Sequence, residues 1–178
     1  MENIKKWLVV FSLTGMGFIF LSCSKPGKDG DGDQQTPRTD VPAAFVGTFY
    51  YGDVSNTNYY NPGNGHWNSV VGSNQAYTFK ADGTFEFGFR ASVMIGNCSN
   101  VGMVYRRGTV AVEGNKITLY DNYAKVMEQH SCNPGTNYDK NTSKKTEVLI
   151  AEPAVDAWGN PGLNLRSPTS TANFFIKK

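Results

Sequence analysis

The stretch YTFKADGTFEF, Tyr77 to Phe87, decides how the rest of this chain is read. Tyr77, Phe79, Phe85 and Phe87 alternate with Thr78, Lys80, Thr84 and Glu86, the period-two pattern of strands with one buried face. Between the two runs lies Ala81-Asp82-Gly83, a short loop with glycine placed for the left-handed conformation such hairpins need. Cross-strand neighbours share a face, so Phe79 should oppose Phe85 and Tyr77 should oppose Phe87. A second segment, GTVAVEGNKITLY from Gly108 to Tyr120, repeats the logic around Gly114-Asn115. There Val112 opposes Ile117 and Val110 opposes Leu119.

Outward from these hairpins, alternation and turn residues predict eight strands. They run Phe45–Tyr51, Ala76–Lys80, Thr84–Arg90, Gly102–Glu113, Lys116–Gln129, Thr146–Ala151, Leu163–Arg166 and Ala172–Lys177. Asn-Pro-Gly turns starting at Asn61, Asn133 and Asn160 fall outside these strands. The expectation is an all-β fold: an eight-stranded antiparallel up-and-down β-barrel, with a β-sandwich as the rival. Long connections at Gly52–Gln75, Ala91–Val101 and His130–Lys145 would crowd one end of such a meander, and tight turns would close the other. Glu152–Gly162 breaks that pattern.

The expected interior is Tyr77, Phe79, Phe85, Phe87, Phe89, Val104, Val110, Val112, Ile117 and Leu119. The same alternation points Arg106 inward, opposite Tyr123. A buried guanidinium needs an acid, a ligand or water. It is read either as the counter-ion of a carboxylate ligand, or as displaced outward by a bulge or by snorkelling to the wide end. The first long connection, NTNYYNPGNGHWNSVV, offers Tyr59, Tyr60, His66 and Trp67 among amides, which suits carbohydrate or amphipathic contact. Alternatively it packs its own aromatics over the barrel end; either way it is expected to act as a lid. The ligand-binding candidates are thus Arg106, Phe79, Phe87, Phe89, Val104, Tyr59, Tyr60 and Trp67.

The first residues carry export chemistry. Lys5 and Lys6 precede an uncharged, mostly apolar run of 15 residues, Trp7 to Leu21. As a helix it spans only about 22 Å, short of the ~30 Å hydrocarbon core. The run ends in Phe20-Leu21-Ser22-Cys23, which resembles the lipobox of bacterial lipoproteins. That resemblance implies cleavage before Cys23 and lipidation of its sulfur, with residues 1–22 as signal peptide. Residues 23–42 then form a lipidated cysteine and a Gly-, Asp- and Pro-rich tether with almost nothing apolar to bury. The tract SKPGKDGDGD also resembles those of surface-exposed lipoproteins of the Bacteroidota, which implies an outer-membrane protein on the periplasmic or cell-surface side. Asp29, Asp31 and Asp33 have calcium-loop spacing, but Gln34 stands where such a loop needs glycine. The folded domain is residues 43–178.

Removing residues 1–22 takes away Glu2, Lys5 and Lys6, so the formal charge falls from +2 to +1. No nucleic-acid partner is expected from that balance. There is no Gly-x-Ser-x-Gly elbow and no phosphate loop, so enzyme chemistry has no motif behind it, and no cofactor is called for. Cys98 and Cys132, with His66 and His130, could in principle hold zinc, but an exported chain favours a disulfide. A two-residue turn at Gly114-Asn115 pairs positions whose numbers sum to 229. The two cysteines sum to 230, one step from direct opposition and within disulfide reach if the hairpin extends that far.

Eight strands, Gly47-Thr48-Phe49 in the first of them, and the two hairpins together resemble the lipocalin-like domains of bacterial lipoproteins over about Phe45 to Lys178. In lipocalins a Gly-x-Trp motif sits at the closed end of the barrel, with an arginine from the chain's end on its ring. Here Phe49 replaces the tryptophan, and Lys177 and Lys178 are the available cations. The resemblance implies a barrel binding a small apolar or amphipathic molecule. The other reading is an interaction module whose loops contact a partner protein or surface glycan.

Overall fold

A computed structural model describes residues 36–52, 59–68 and 72–178. The signal peptide, Cys23 and the aspartate tract lie outside the described residues. The strands are β1 Gly47–Gly52, β2 Tyr60–Asn61, β3 His66–Trp67, β4 Asn74–Phe79, β5 Thr84–Ile95, β6 Cys98–Glu113, β7 Lys116–His130, β8 Tyr138–Asn141, β9 Thr146–Val155, β10 Pro161–Arg166 and β11 Asn173–Lys177.

Eight of them form an antiparallel up-and-down ring. Pairing runs β1–β4–β5–β6–β7–β9–β10–β11 and returns from β11 to β1. The expected hairpin registers hold: Phe79 faces Phe85, Tyr77 faces Phe87, Val112 faces Ile117 and Val110 faces Leu119. Gly83 and Gly114 take φ of +76° and +64°, so the two turns use glycine where an L side chain would be strained. Alternate residues from each ring strand meet in one core of Phe49, Tyr77, Phe79, Phe85, Val110, Leu119, Leu149, Ala151, Leu163 and Phe175. The inward set expected from sequence lies in this core or packs against it.

At the tight-turn end Lys177 Nζ stands 5.6 Å from the centre of the Phe49 ring. A Cβ on Gly47 would come within 2.7 Å of the Lys177 stem, so that glycine makes room for the cation over the ring.

Four boundaries differ from expectation. The folded part begins before residue 43: Thr39 N–H donates to Val110 O, Val41 N–H donates to Ala81 O, and Val41 and Phe45 are buried in the core. Ala91–Val101 is no loop, because β5 and β6 stay paired out to Ile95 and Cys98 around Gly96-Asn97. The Asn160-Pro161-Gly162 motif is partly strand, since β10 starts at Pro161. β8, unexpected from sequence, adds to the outer part of β7.

β4 accompanies β5 only as far as Arg90. Beyond it, β5 to β8 continue as a four-stranded extension past the loop-rich end of the ring. Cys98 and Cys132 are joined by a disulfide with Cα atoms 5.4 Å apart, which ties the tip of this extension to the end of β7.

Candidate functional site

The β6–β7 ladder explains both the disulfide and Arg106. From the turn outward, partners sum to 229 as far as Gly108 and Asp121, then to 230 from Arg107 and Tyr123. Asn122 is the extra residue of a bulge. The shift brings the cysteine positions into line. It also sets Arg106 opposite Ala124, correcting the expected Tyr123. Gly108 faces this bulge; a Cβ there would come within 1.9 Å of the Tyr120 carbonyl oxygen, so only glycine fits.

Arg106 does point inward and is 3% exposed. Its Nε donates to both Asp121 carboxylate oxygens at 3.0 and 2.9 Å, and its Nη1 donates to Glu147 Oε2 at 2.5 Å. Nη2 makes an ion contact with Asp121 Oδ1 at 2.9 Å, outside hydrogen-bond alignment. Phe85 and Phe87 lie beneath the guanidinium at 5.9 and 5.2 Å. Burial works against the charge, but the bonds to Asp121 and Glu147 outweigh it and raise the Arg106 pKa. Asp121 is further held by the Lys145 N–H at 3.2 Å. Burial, then the Glu147 charge, push the Tyr77 phenol pKa well up, so it stays neutral. The guanidinium therefore has its acids already. The expectation that it awaits a ligand carboxylate is corrected by Asp121 and Glu147, one on each strand of the neighbouring β7–β9 pair.

The proposed ligand contacts separate. Phe79 is fully buried beside Phe49 at the tight-turn end, and Phe87 lies under Arg106. Only Phe89 and Val104 are half-buried toward the loop-rich mouth, facing each other across β5 and β6. Beyond them Gly102 has open space over its Cβ position.

Tyr59, Tyr60 and Trp67 do not form a lid. β2 and β3 make a small hairpin around Asn61-Pro62-Gly63, with Tyr60 paired to Trp67. It lies on the outer wall: Tyr59 is buried with Ala76, Met103 and Met127, residues that alternate with the inward set. A Cβ on Gly88 would come within 2.0 Å of the Tyr59 ring, so the wall is shaped for it. The Tyr59 hydroxyl donates to Asn74 Oδ1 at 2.5 Å. Tyr60 packs on Trp67, Tyr105 and Tyr123 at 4.9, 5.1 and 6.2 Å, with Lys125 Nζ 4.9 Å from its ring. Burial and a hydrogen bond to Tyr60 push the Tyr123 phenol up to about 12. These rings spend their faces on one another. Residues 59–68 are a buttress, and the same residue types in sequence suit either use.

Among the described residues, the tip of the extension is one exposed apolar stretch. Val93, Met94 and Ile95 are 54%, 65% and 64% exposed, consecutive, and held by the Gly96-Asn97 turn and the disulfide. Among the described residues no cluster of three His, Cys, Asp or Glu side chains could hold a metal. Comparison with known proteins finds no matching family model, no similar curated protein and no similar solved structure. Among the described residues the tip, unlike the interior, leaves most of its apolar side-chain surface exposed.

Proposed function

We propose that this chain is a lipoprotein of the bacterial envelope, anchored through Cys23, whose barrel is a rigid stand for a hairpin that docks on a partner protein. The observation that carries the reading is the apolar Val93-Met94-Ile95 tip on a disulfide-tied strand extension. Val93 and Ile95 share one face of the hairpin and Met94 takes the other, so the tip presents exposed apolar side chains on both faces. A preorganised tip also spends little conformational entropy on binding. Its side chains offer apolar contact with few hydroxyl partners, which favours a protein over a glycan. The barrel core is packed with aromatic and aliphatic side chains and its buried cation is neutralised within the fold.

Anchoring is tested by Cys23→Ser. The variant should leave the detergent phase and appear in the aqueous phase; equal partitioning with wild type sinks the lipoprotein reading. Docking is tested with a photo-crosslinking residue at Met94, in living cells, against the same residue at exposed Lys116 on the opposite end. A discrete protein adduct specific to Met94, competed by excess unlabelled protein but not by its Val93→Ser/Met94→Ser/Ile95→Ser form, supports the reading. Adducts that do not depend on position argue against it.

A second reading rests on the half-buried Phe89 and Val104 and the open space at Gly102: a small apolar molecule at the barrel mouth. Saturable fatty-acid or sterol binding abolished by Gly102→Phe, with no Met94 adduct, would favour it.

A further inference from the structure

The opposite end of the barrel carries its own exposed aromatic. Trp158 is 84% exposed and Val155 66% exposed, the former in the β9–β10 turn and the latter beside it. The turn is rigidly built. Asp156 Oδ1 accepts the N–H groups of Trp158 and Asn160 at 2.9 and 2.8 Å, and its Oδ2 accepts the Asn160 side-chain amide at 2.8 Å. Backbone bonds close it from Asp156 N–H to Asn160 O and from Gly159 N–H to Asp156 O. The last β9–β7 pair is Ile150 with Lys116, so residues 152–155 and the turn run on past β7, paired only to β10. The hydrogen-bonded turn holds the Trp158 backbone at the tip of an overhang and leaves the indole in water.

The same end receives the chain's N-terminal segment. Thr36 to Val41 is bonded to Thr109, Val110, Val112 and Ala81, around the β4–β5 and β6–β7 turns. Only the 12 residues Ser24 to Gln35 separate that segment from Cys23. Such a length spans at most about 45 Å, and about 20 Å on average for a Gly-rich coil. Around the rim Arg38 pairs with Asp82, Lys116 with Glu113 and Lys80 with Glu86, while Lys177 stands over the Phe49 ring. An indole, apolar in body and polar at its N–H, suits the lipid–water interface itself.

We infer that Trp158, with Val155, inserts into the bilayer interface as a second contact beside the lipid anchor, holding the tight-turn end against the membrane and the Val93-Met94-Ile95 tip away from it. The inference rests on lipidation of Cys23. An anchor at Cys23 limits the distance of the domain from the membrane, and an interfacial side chain on a hydrogen-bonded turn adds an orientation.

The test uses the mature protein, purified from cells and reconstituted into phosphatidylcholine vesicles with and without brominated acyl chains. Intact mass first establishes whether Cys23 is acylated. The tryptophans after Cys23 are Trp67 and Trp158, and Trp67 packs on the barrel wall. The expected result is a blue-shifted emission that brominated lipid quenches, unchanged at high salt, with the shift and the quenching lost in Trp158→Ser and reduced in Val155→Asp. An acylated protein quenched equally in wild type and Trp158→Ser overturns the inference and leaves the anchor standing. Quenching that needs anionic lipid and vanishes in salt overturns it too, as does a Trp158 unquenched in vesicles yet shielded in native membranes, the sign of a protein partner there. An unacylated Cys23 overturns the anchor and the inference together.

Discussion

Arg106→Met is expected to destabilise the folded protein by about 3–5 kcal/mol, the usual cost of removing one partner of a buried ion pair. The loss arises from what stays behind. Asp121 has a side-chain exposure of 0% and is left buried without its only ion-pair partner among the described residues. The Lys145 N–H still bonds one carboxylate oxygen, which offsets a part. Glu147, with a quarter of its side chain exposed, can turn toward water and adds less. For a domain of this size each kcal/mol moves the melting midpoint by roughly 3–5 °C, so the midpoint should fall by about 9–25 °C. Arg106→Lys should recover only a portion, because an ammonium cannot fork across Asp121 and Glu147 together. Arg106→Met/Asp121→Leu should recover more, since apolar replacement of both members removes the stranded charge. The sign of the pH dependence follows from the raised pKa of Arg106. Its stabilising contribution is fully present below the ordinary guanidinium range and is lost only as pH rises beyond it, so the cation itself adds no slope near neutrality. Thermal denaturation of the three variants checks this. An Arg106→Met midpoint within a few degrees of wild type would mean the triad is slack or solvated.

The reach and limit of the sequence reading are clearest on β7. Ile117 and Leu119 alternate inward, and Asp121 continues that parity as a polar break on an apolar face. Glu147 does the same before Leu149 and Ala151 on β9. Arg106, Asp121 and Glu147 are three such breaks, and reading them as one level of the barrel would have paired them. The bulge at Asn122 hid this, because no residue there announces an insertion and the register beyond it is off by one. The two hairpins around Gly83 and Gly114 were legible because glycine was needed at a fixed place in each. The β5–β6 hairpin was missed although Gly96-Asn97 is itself a turn pair; its Ser, Asn and Gly neighbours read as loop. The wall position of Tyr59 was not legible. What fixes it is a glycine on another strand, Gly88, whose missing side chain has meaning only in three dimensions.

Loss of the disulfide is expected to act on the tip and spare the barrel. Cys98→Ala/Cys132→Ala opens a loop with a sequence separation of 34. On the chain-entropy model that removes about 3–4 kcal/mol. The loss should not spread evenly. Residues 91–95 of β5 have lost β4 as a neighbour, and their side chains at 93–95 bury little. Their order depends on β6, which the disulfide fastens to the end of β7, with a Ser131 N–H to Ser99 O bond beside it at 2.9 Å. Val110, Ile117 and Leu119 sit far down the same strands, buried in the common core. Local opening takes the least buried unit first. Amide exchange should therefore accelerate strongly from Val93 to Val101 and little from Thr109 to Leu119. Free-thiol titration of the denatured, unreduced wild type should find neither cysteine reactive. If the hairpin is the docking element, the Met94 crosslink should fall with the lost order, while circular dichroism of the barrel stays near wild type. Uniform acceleration of exchange across β6 and β7 would instead show that the staple supports the whole fold. An unchanged crosslink in the double variant, with exchange raised only at the tip, would show that docking does not need the tip preorganised.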